Sequence, residues 1–295
     1  MEPASGDVVF PSAASVADAL RSAGYLPDPA IASTVFLAER LGKPVLVEGP
    51  AGTGKTELAK TVARAAGARL IRLQCYEGLD EAKALYEWNY RKQLLRLQAA
   101  QRDGGEGPEW ERLQSDLFGE SFLLTRPLLE AIRADEPVVL LIDEVDRLEV
   151  ETEALLLEVL SDYQVSIPEL GTVTATRIPR VFLTSNSSRD LSEALKRRCL
   201  YLHLGYPAPE REREIVLARV PGISGQLAAR VAEVTAALRR LDLKKAPSVS
   251  ESLDWARTLV LLGAGDVDAQ LLSGTMNVLL KDATDIAVAV RELAG

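Results

Sequence analysis

The sequence predicts an α/β protein, a parallel sheet flanked by helices and followed by a smaller all-α lid domain, on three observations. A short β-branched run, Val45 to Val47, is followed at once by glycines and then by a helical stretch. An all-apolar run, Val138 to Ile142, ends in two acids, and after Tyr206 only leucine- and alanine-rich amphipathic segments remain. Continuous apolar runs suit strands covered on both faces, which is the situation of a parallel sheet wrapped by helices.

Taken in order, apolar residues recur at helical spacing from Val16 to Ala23 and from Ile31 to Leu41, which predicts two helices ahead of the strand that ends at Glu48. A helix from Lys55 to Ala66 and a strand from Leu70 to Leu73 follow, giving the strand, loop, helix, strand order of a parallel sheet. From Cys75 to about Gly119 the pattern changes: Leu85, Trp88, Leu95 and Ala99 recur at helical spacing, Gly104, Gly105, Gly107 and Pro108 break the chain, and a shorter helix runs from Glu109 to Leu117. This is read as a helical insertion over about residues 76–119. Next come a helix from Leu128 to Ala134, the strand from Val138, a helix from Glu151 to Leu160, a hairpin from Val165 to Thr176 about Gly171, and strands Val181 to Thr184 and Leu200 to Leu204. Pro207 and Pro209 open the helical region, in which Pro247, Ser248 and then Glu251 three residues on spell a capping box. The expected division is a core over residues 1–205 and a lid over 206–295.

Composition removes several classes of function. With 47% hydrophobic and 26% charged residues the chain is neither disordered nor fibrous, and its net charge of -9 opposes a field that would hold nucleic acid or an anionic membrane. Tyr86, Trp88 and Tyr90 among Lys83, Arg91, Lys92 and Arg96 therefore read as a packed or partner-facing insert helix rather than a stacking platform for single strands. Cys75, Cys199 and the single His203 are too few for a zinc cluster or a disulfide framework, fit a reducing compartment and read as packing residues. Met1 to Phe10 lacks the pattern of a secretory signal, and no apolar stretch approaches the ~20 residues of a membrane span, so a cytoplasmic protein with no membrane partner is expected.

The chemistry is concentrated in a few places. Gly49, Pro50, Ala51, Gly52, Thr53, Gly54, Lys55 and Thr56 match the phosphate-loop pattern G-x-x-x-x-G-K-[ST], with Glu57 next on the helix. Glycines let successive N–H groups turn inward around a β-phosphate, Lys55 reaches β and γ oxygens, and Thr56 offers its hydroxyl to Mg²⁺ at a helix N-terminus. Asp143 and Glu144 end the apolar strand at its C-terminal edge, where such sheets bind ligands. Asp143 is expected to hold Mg²⁺, and Glu144, with no positive partner in its immediate sequence, to orient and deprotonate the attacking water. Asn186, after the strand that ends in Thr184, suits either a hydrogen bond to the γ-phosphate or water, or a turn before Ser187 and Ser188. Lys196, Arg197 and Arg198 end a short helix, which is either dipole complementation or an arginine supplied to a neighbouring subunit's γ-phosphate.

In that order, and followed by a helical lid, the phosphate loop, Asp143-Glu144, Asn186 and Arg198 resemble an AAA+ ATPase, a P-loop NTPase, of the MoxR branch. The insertion after Cys75, the hairpin before the Asn186 strand and the text Ala154-Leu155-Leu156-Leu157-Glu158 carry the branch. The stretches Leu73 to Asp80 and Leu195 to Tyr201 are similar to the subgroup that matures molybdenum-copper carbon monoxide dehydrogenase. The resemblance implies ATP with Mg²⁺ at the interfaces of a homo-oligomeric, usually hexameric, ring, Asn186 as sensor and Arg198 acting in trans, with Arg197 the lesser candidate. It also implies Tyr25 and Leu26 bordering the adenine, a partner carrying a von Willebrand factor A domain, and a client metalloenzyme that is remodelled or loaded with its cofactor. One departure stands out: relatives often carry a sensor 2 arginine near the start of a lid helix, whereas Pro247 here precedes Ser248, Val249 and Ser250, with Lys244, Lys245 and Arg257 the nearest cations. The rival readings are a DNA-acting AAA+ motor or clamp loader and a nucleotide-gated scaffold with little hydrolysis.

Overall fold

The computed structural model describes residues 9–102 and 117–294. Five strands form a parallel sheet in the order β2-β5-β8-β1-β9: β1 is Val45–Glu48, β2 Arg69–Gln74, β5 Val138–Asp143, β8 Arg180–Ser185 and β9 Leu200–His203. This is the α/β architecture that the apolar runs predict. Alternation along each strand sends neighbouring side chains to opposite faces. Leu46, Leu140, Ile142, Val181 and Leu183 pack on one side with helices Pro127–Ile132 and Val150–Asp162, while Val45, Val47, Val139, Leu141 and Phe182 pack on the other with helices Ala13–Ser22, Pro29–Leu41 and Lys55–Ala65. All six residues of β5 are buried, which explains its unbroken apolar sequence and makes the acid at its end, Asp143, the exception that needs partners.

Beyond β9, helices Pro209–Arg219, Gly225–Leu238, Val249–Leu261, Ala269–Leu279 and Ala283–Ala294 enclose their own apolar cluster around Trp255, Leu238 and Leu259. Inside it Glu212, fully buried, is held by Arg239 (Nη1 2.6 Å, Nη2 2.9 Å) and by the Ser252 hydroxyl, and Arg239 stacks on Tyr206. The capping box is present: Ser248 Oγ accepts from Glu251 N–H, and the Glu251 carboxylate accepts from Ser248 N–H. No helix among the described residues is long and apolar enough to cross a membrane.

The insertion differs from its expected all-helical form. It contains helices Glu81–Ala84 and Tyr90–Arg102, but Tyr86–Trp88 (β3) pairs antiparallel with Leu123–Thr125 (β4). Trp88, read above as part of a helical face, is a strand residue whose ring meets Phe118 edge-on, while Leu95 is exposed. Three-residue strands are too short for a period of two to compete with a chance helical spacing. The helix expected from Glu109 to Leu117 lies, up to residue 116, outside the described residues. The hairpin is Gln164–Ile167 (β6) with Gly171–Thr174 (β7), so Gly171 opens its second strand rather than centring the turn.

Candidate functional site

The C-terminal edge of the sheet gathers the ends of β1, β5 and β8 in adjacent positions, because β8 lies between the other two. Leaving β1, the chain must turn within a space too small for side chains. At Gly49, φ is +152° and a Cβ would stand 2.1 Å from the Leu204 carbonyl oxygen; at Gly52, φ is +72° and a Cβ would stand 2.2 Å from Ser248 Oγ. Thr53 Oγ1 donates to Pro50 O at 3.0 Å and closes the loop. Helix Lys55–Ala65 starts immediately after Gly54, so Lys55 and Thr56 occupy its first turn, where N–H groups without intrahelical partners point toward the loop.

Lys55 is buried, and its ammonium donates to Gly49 O (2.6 Å), Pro50 O (2.7 Å) and Asn186 Oδ1 (2.9 Å). Burial lowers its pKa below the ordinary lysine value, and the carboxylates of Asp146, then Asp143, Glu144 and Glu48 work against that shift. Thr56 Oγ1 donates to Asp143 Oδ1 at 2.9 Å. Lys55, Thr56, Asp143 and Asn186, singled out from three separate stretches of sequence, thus lie in one hydrogen-bonded cluster.

The structure adds residues that the sequence reading missed. Thr184 Oγ1 donates to Asp143 Oδ1 at 2.5 Å and accepts from Glu144 N–H at 2.9 Å, bracing both acids from the neighbouring strand. Arg72 on β2 donates from Nε (3.0 Å) and Nη2 (2.5 Å) to Asp143 Oδ2. Asp146, 3% exposed, accepts at Oδ2 from Asn186 N–H (3.2 Å), Ser188 N–H (3.0 Å) and Ser188 Oγ (2.6 Å), which fixes the loop that carries Asn186. The expectation that Glu144 lacks a positive partner is corrected. A single tight turn over Val145–Arg147 curls the chain back, Glu144 takes a left-handed conformation (φ 59°), and Arg147 Nε sits 2.6 Å from its Oε2. Arg147 follows Asp146 in the sequence, but only the turn geometry, not the spacing, makes it a partner of Glu144.

Arg198 lies apart from the cluster. Its Nε donates to Ser161 Oγ at 2.5 Å and its Nη1 to Ala194 O at 3.0 Å, while Arg197 is exposed. Tyr25 Cε2 and Oη stand 3.8 Å from the Cβ position of Gly54, and Leu26 is half-buried beside it. Burial, and next Asp28, raise the Tyr25 hydroxyl pKa, so its phenol stays neutral. This segment is clasped by the lid: Arg211 donates to Pro27 O (3.1 Å) and Arg219 to Gly24 O (3.2 Å). Glu57 pairs with Arg64 at 2.9 Å and with Arg219 at 3.6 Å, so it faces the lid. Of the cations near the lid helix, Lys244 is bonded to Asp282 and Thr284 and Arg257 to Asp254, and the Lys245 N–H is bonded to Asp285. What the lid presents to Gly52 of the phosphate loop is Ser248, with the Ser250 hydroxyl farther off.

These residues fit a nucleotide and a divalent cation. The loop runs through left-handed glycines packed too closely on Leu204 and Ser248 to carry side chains, the helix start supplies anion-binding N–H groups, and Thr56 with Asp143 offers hard oxygen donors of the kind Mg²⁺ takes alongside phosphate oxygens. Among the described residues no group of three or more His, Cys, Asp or Glu is placed to hold a metal ion, and burial pushes the Cys75 and Cys199 thiols up to about 12.

Comparison with known proteins agrees. Residues 45–204, from the start of β1 to just past β9, match the family described as "ATPase family associated with various cellular activities (AAA)". The chain is 26% identical over 212 residues to the denitrification regulatory protein NirQ of Pseudomonas aeruginosa, covering 70% of each. It is 25% identical over 209 residues to NirQ of Stutzerimonas stutzeri, covering 68% of this chain and 65% of that one. Among solved structures, a mutant of Thermotoga maritima RuvB covers 92% of this chain and 71% of its own at 19% identity and a TM-score of 0.46. The Thermotoga maritima RuvB Holliday junction branch migration motor covers 84% and 67% at 19% identity and a TM-score of 0.44. Since the family match spans more than half of its length and takes in the whole phosphate-loop sheet, the chain belongs to the AAA family of ATPases.

Proposed function

We propose that the chain is a MoxR-type AAA+ ATPase that hydrolyses ATP to remodel a client protein, assisting metal-cofactor maturation of an enzyme resembling molybdenum-copper carbon monoxide dehydrogenase. The observation that carries the catalytic part is the single cluster of Lys55, Thr56, Asp143 and Asn186 around the phosphate loop. The loop Gly49–Thr56 cradles the phosphates, and Lys55 exchanges its loop carbonyls for phosphate oxygens while keeping Asn186 within reach. Thr56 and Asp143 would hold Mg²⁺, which would supply positive charge against the phosphates. Glu144 turns from Arg147 to accept a proton from water as that water's oxygen bonds to the γ-phosphorus and the bond to the β–γ bridging oxygen breaks. The Asn186 side-chain NH2 donates to the γ-phosphate while its Oδ1 stays on Lys55, and Tyr25 and Leu26 border the base.

The site is linked to the surfaces that would work on a client. Glu153 on helix Val150–Asp162 accepts from Ser192 N–H (2.7 Å) and Arg189 (2.9 Å) in the segment that follows Asn186. The same helix leads directly into the β6–β7 hairpin, and its Thr152 donates to Leu79 O at the base of the insertion (2.8 Å). A shift at Asn186 therefore reaches both hairpin and insertion through one rigid element. We assign the core to residues 1–205 and the lid to 206–295, and propose a cytoplasmic, six-subunit ring in which Arg198 leaves Ser161 to complete the neighbour's site. The two relatives are named denitrification regulatory proteins, and for this chain a client metalloenzyme and a von Willebrand factor A protein are the proposed partners.

Mixing inactive subunits tests the shared site. Arg198→Ala and Glu144→Gln proteins, each silent alone, are expected to recover ATP turnover when combined, since some interfaces then pair two intact halves. No recovery at any ratio would remove Arg198 from the site. Capture of partners from the source cell with tagged Glu144→Gln protein held in ATP tests the client: a von Willebrand A protein and a molybdenum hydroxylase are expected, and DNA enzymes would overturn the assignment.

A further inference from the structure

The feature that the proposed chemistry leaves unused is Arg72. The pairing of β2 with β5 sets Gln74 opposite Asp143 and Arg72 opposite Leu141, so pleating places Arg72 on the same face of the sheet as Asp143. Its neighbours Ile71 and Leu73 point the other way into the core. From there the guanidinium reaches Asp143 with two N–H groups, and both land on one oxygen, Oδ2. The other oxygen, Oδ1, accepts the hydroxyls of Thr56 and Thr184. The carboxylate is thus fully subscribed: hydroxyl donors on one oxygen, a full positive charge on the other.

Exposure decides what this pair can do. The Asp143 side chain is 4% exposed and cannot move without losing three partners, whereas the Arg72 side chain is 45% exposed on the edge strand of the sheet. An arginine in that position is rehydrated readily when it leaves, and the buried carboxylate, which could not stand unpaired, keeps a positive partner because the cation takes the guanidinium's place. A cation arriving at Thr56 and Asp143 meets a site whose negative charge is already answered. We propose that Arg72 is a built-in competitor of the divalent cation, its guanidinium and the metal taking turns on Asp143, so that the site loads metal and nucleotide together rather than metal alone. This rests on Thr56 and Asp143 being the cation ligands, as proposed above. A nucleotide brings phosphate oxygens that complete the metal's shell and offer the displaced guanidinium a second anion.

The test is a magnesium titration of the full chain bound to a fluorescent N-methylanthraniloyl ADP, read as fluorescence rather than turnover. Arg72→Ala and Arg72→Gln are expected to lower the magnesium midpoint about fivefold, the size of one half-exposed ion pair, while Arg72→Lys stays near the wild type. Binding of the probe in EDTA should be the same in all four proteins. The Gln variant keeps a donor for the buried carboxylate and decides the matter should the Ala variant fail to fold. A midpoint that is unchanged or raised on loss of the charge, with normal probe binding, overturns the competition and leaves the ATPase reading intact. A wild type that does not bind the probe overturns the ATPase reading itself.

Discussion

Gly52→Ala is the most informative substitution at the meeting of phosphate loop and lid. Two costs are readable from the geometry. The backbone at φ +72° is left-handed, which costs an L side chain about 1–2 kcal/mol. The added Cβ would stand 2.2 Å from Ser248 Oγ and 2.5 Å from Ser248 Cβ, a clash with the start of a lid helix that must be relieved by moving it, at about 1–3 kcal/mol. Gly42→Ala separates the two costs, since Gly42 also has a positive φ of +60° yet nothing lies within 4 Å of its Cβ. Chemical denaturation of Gly42→Ala should show the backbone cost alone, and Gly52→Ala the sum, about 2–5 kcal/mol. Ser248→Gly removes the atoms in collision, and glycine is tolerated at a helix N-cap within a few tenths of a kcal/mol of serine. The double variant should therefore recover the steric part, a coupling of about 1–3 kcal/mol. Strict additivity of the two substitutions would refute the claim that Ser248 rests on the phosphate loop.

Asp146→Ala strips three donors of their acceptor and should lower stability by about 1–3 kcal/mol while reducing kcat more than nucleotide affinity, because the loop carrying Asn186 loosens. Asp146→Asn, which keeps an acceptor, should restore part of both, and an equal loss of affinity and kcat would count against a positioning role. Cys75 and Cys199 should resist iodoacetamide at pH 8 in the native protein and react in urea, as mass spectrometry would show, since burial raises both thiols to about 12. The sign of the linked effect follows: a raised folded-state pKa gives stability that is complete below pH 9.0, the unfolded value, and is lost as pH climbs toward about 12. Replacing both thiols by alanine should flatten that alkaline loss, and an unchanged pH profile would contradict it.

The candidate site is legible in the sequence wherever its parts are contiguous. The phosphate loop is a run of eight contiguous residues, and the acids that end β5, which alone would pass for a solvated strand end, stand out because Lys55 and Thr56 precede them. What escapes the sequence is pairing across strands. Arg72 and Thr184 look like ordinary strand residues until the order β2-β5-β8 sets both beside Asp143. Arg147 and Asp146 depend on a turn of three residues whose direction is set by the left-handed Glu144, a conformation that nothing in the local text requires. The β3–β4 pair escapes for a different reason, since its members lie 35 or more residues apart and each offers only three residues of pattern. The lid is the clearest instance of reading the wrong residue type: a search for a cation leads to Lys244 and Arg257, which pair within the lid, whereas a serine makes the contact.

In the proposed ATP-hydrolysing site built on Lys55, Thr56, Asp143 and Asn186, the base is Glu144 freed from Arg147. Phosphate release measured side by side with nucleotide binding, for the wild type and Glu144→Gln, tests it most directly. Glu144→Gln is expected to bind ATP as the wild type does and to release phosphate about 10²- to 10⁴-fold more slowly, the usual worth of a general base. Phosphate release at the wild-type rate from the Gln variant would contradict it.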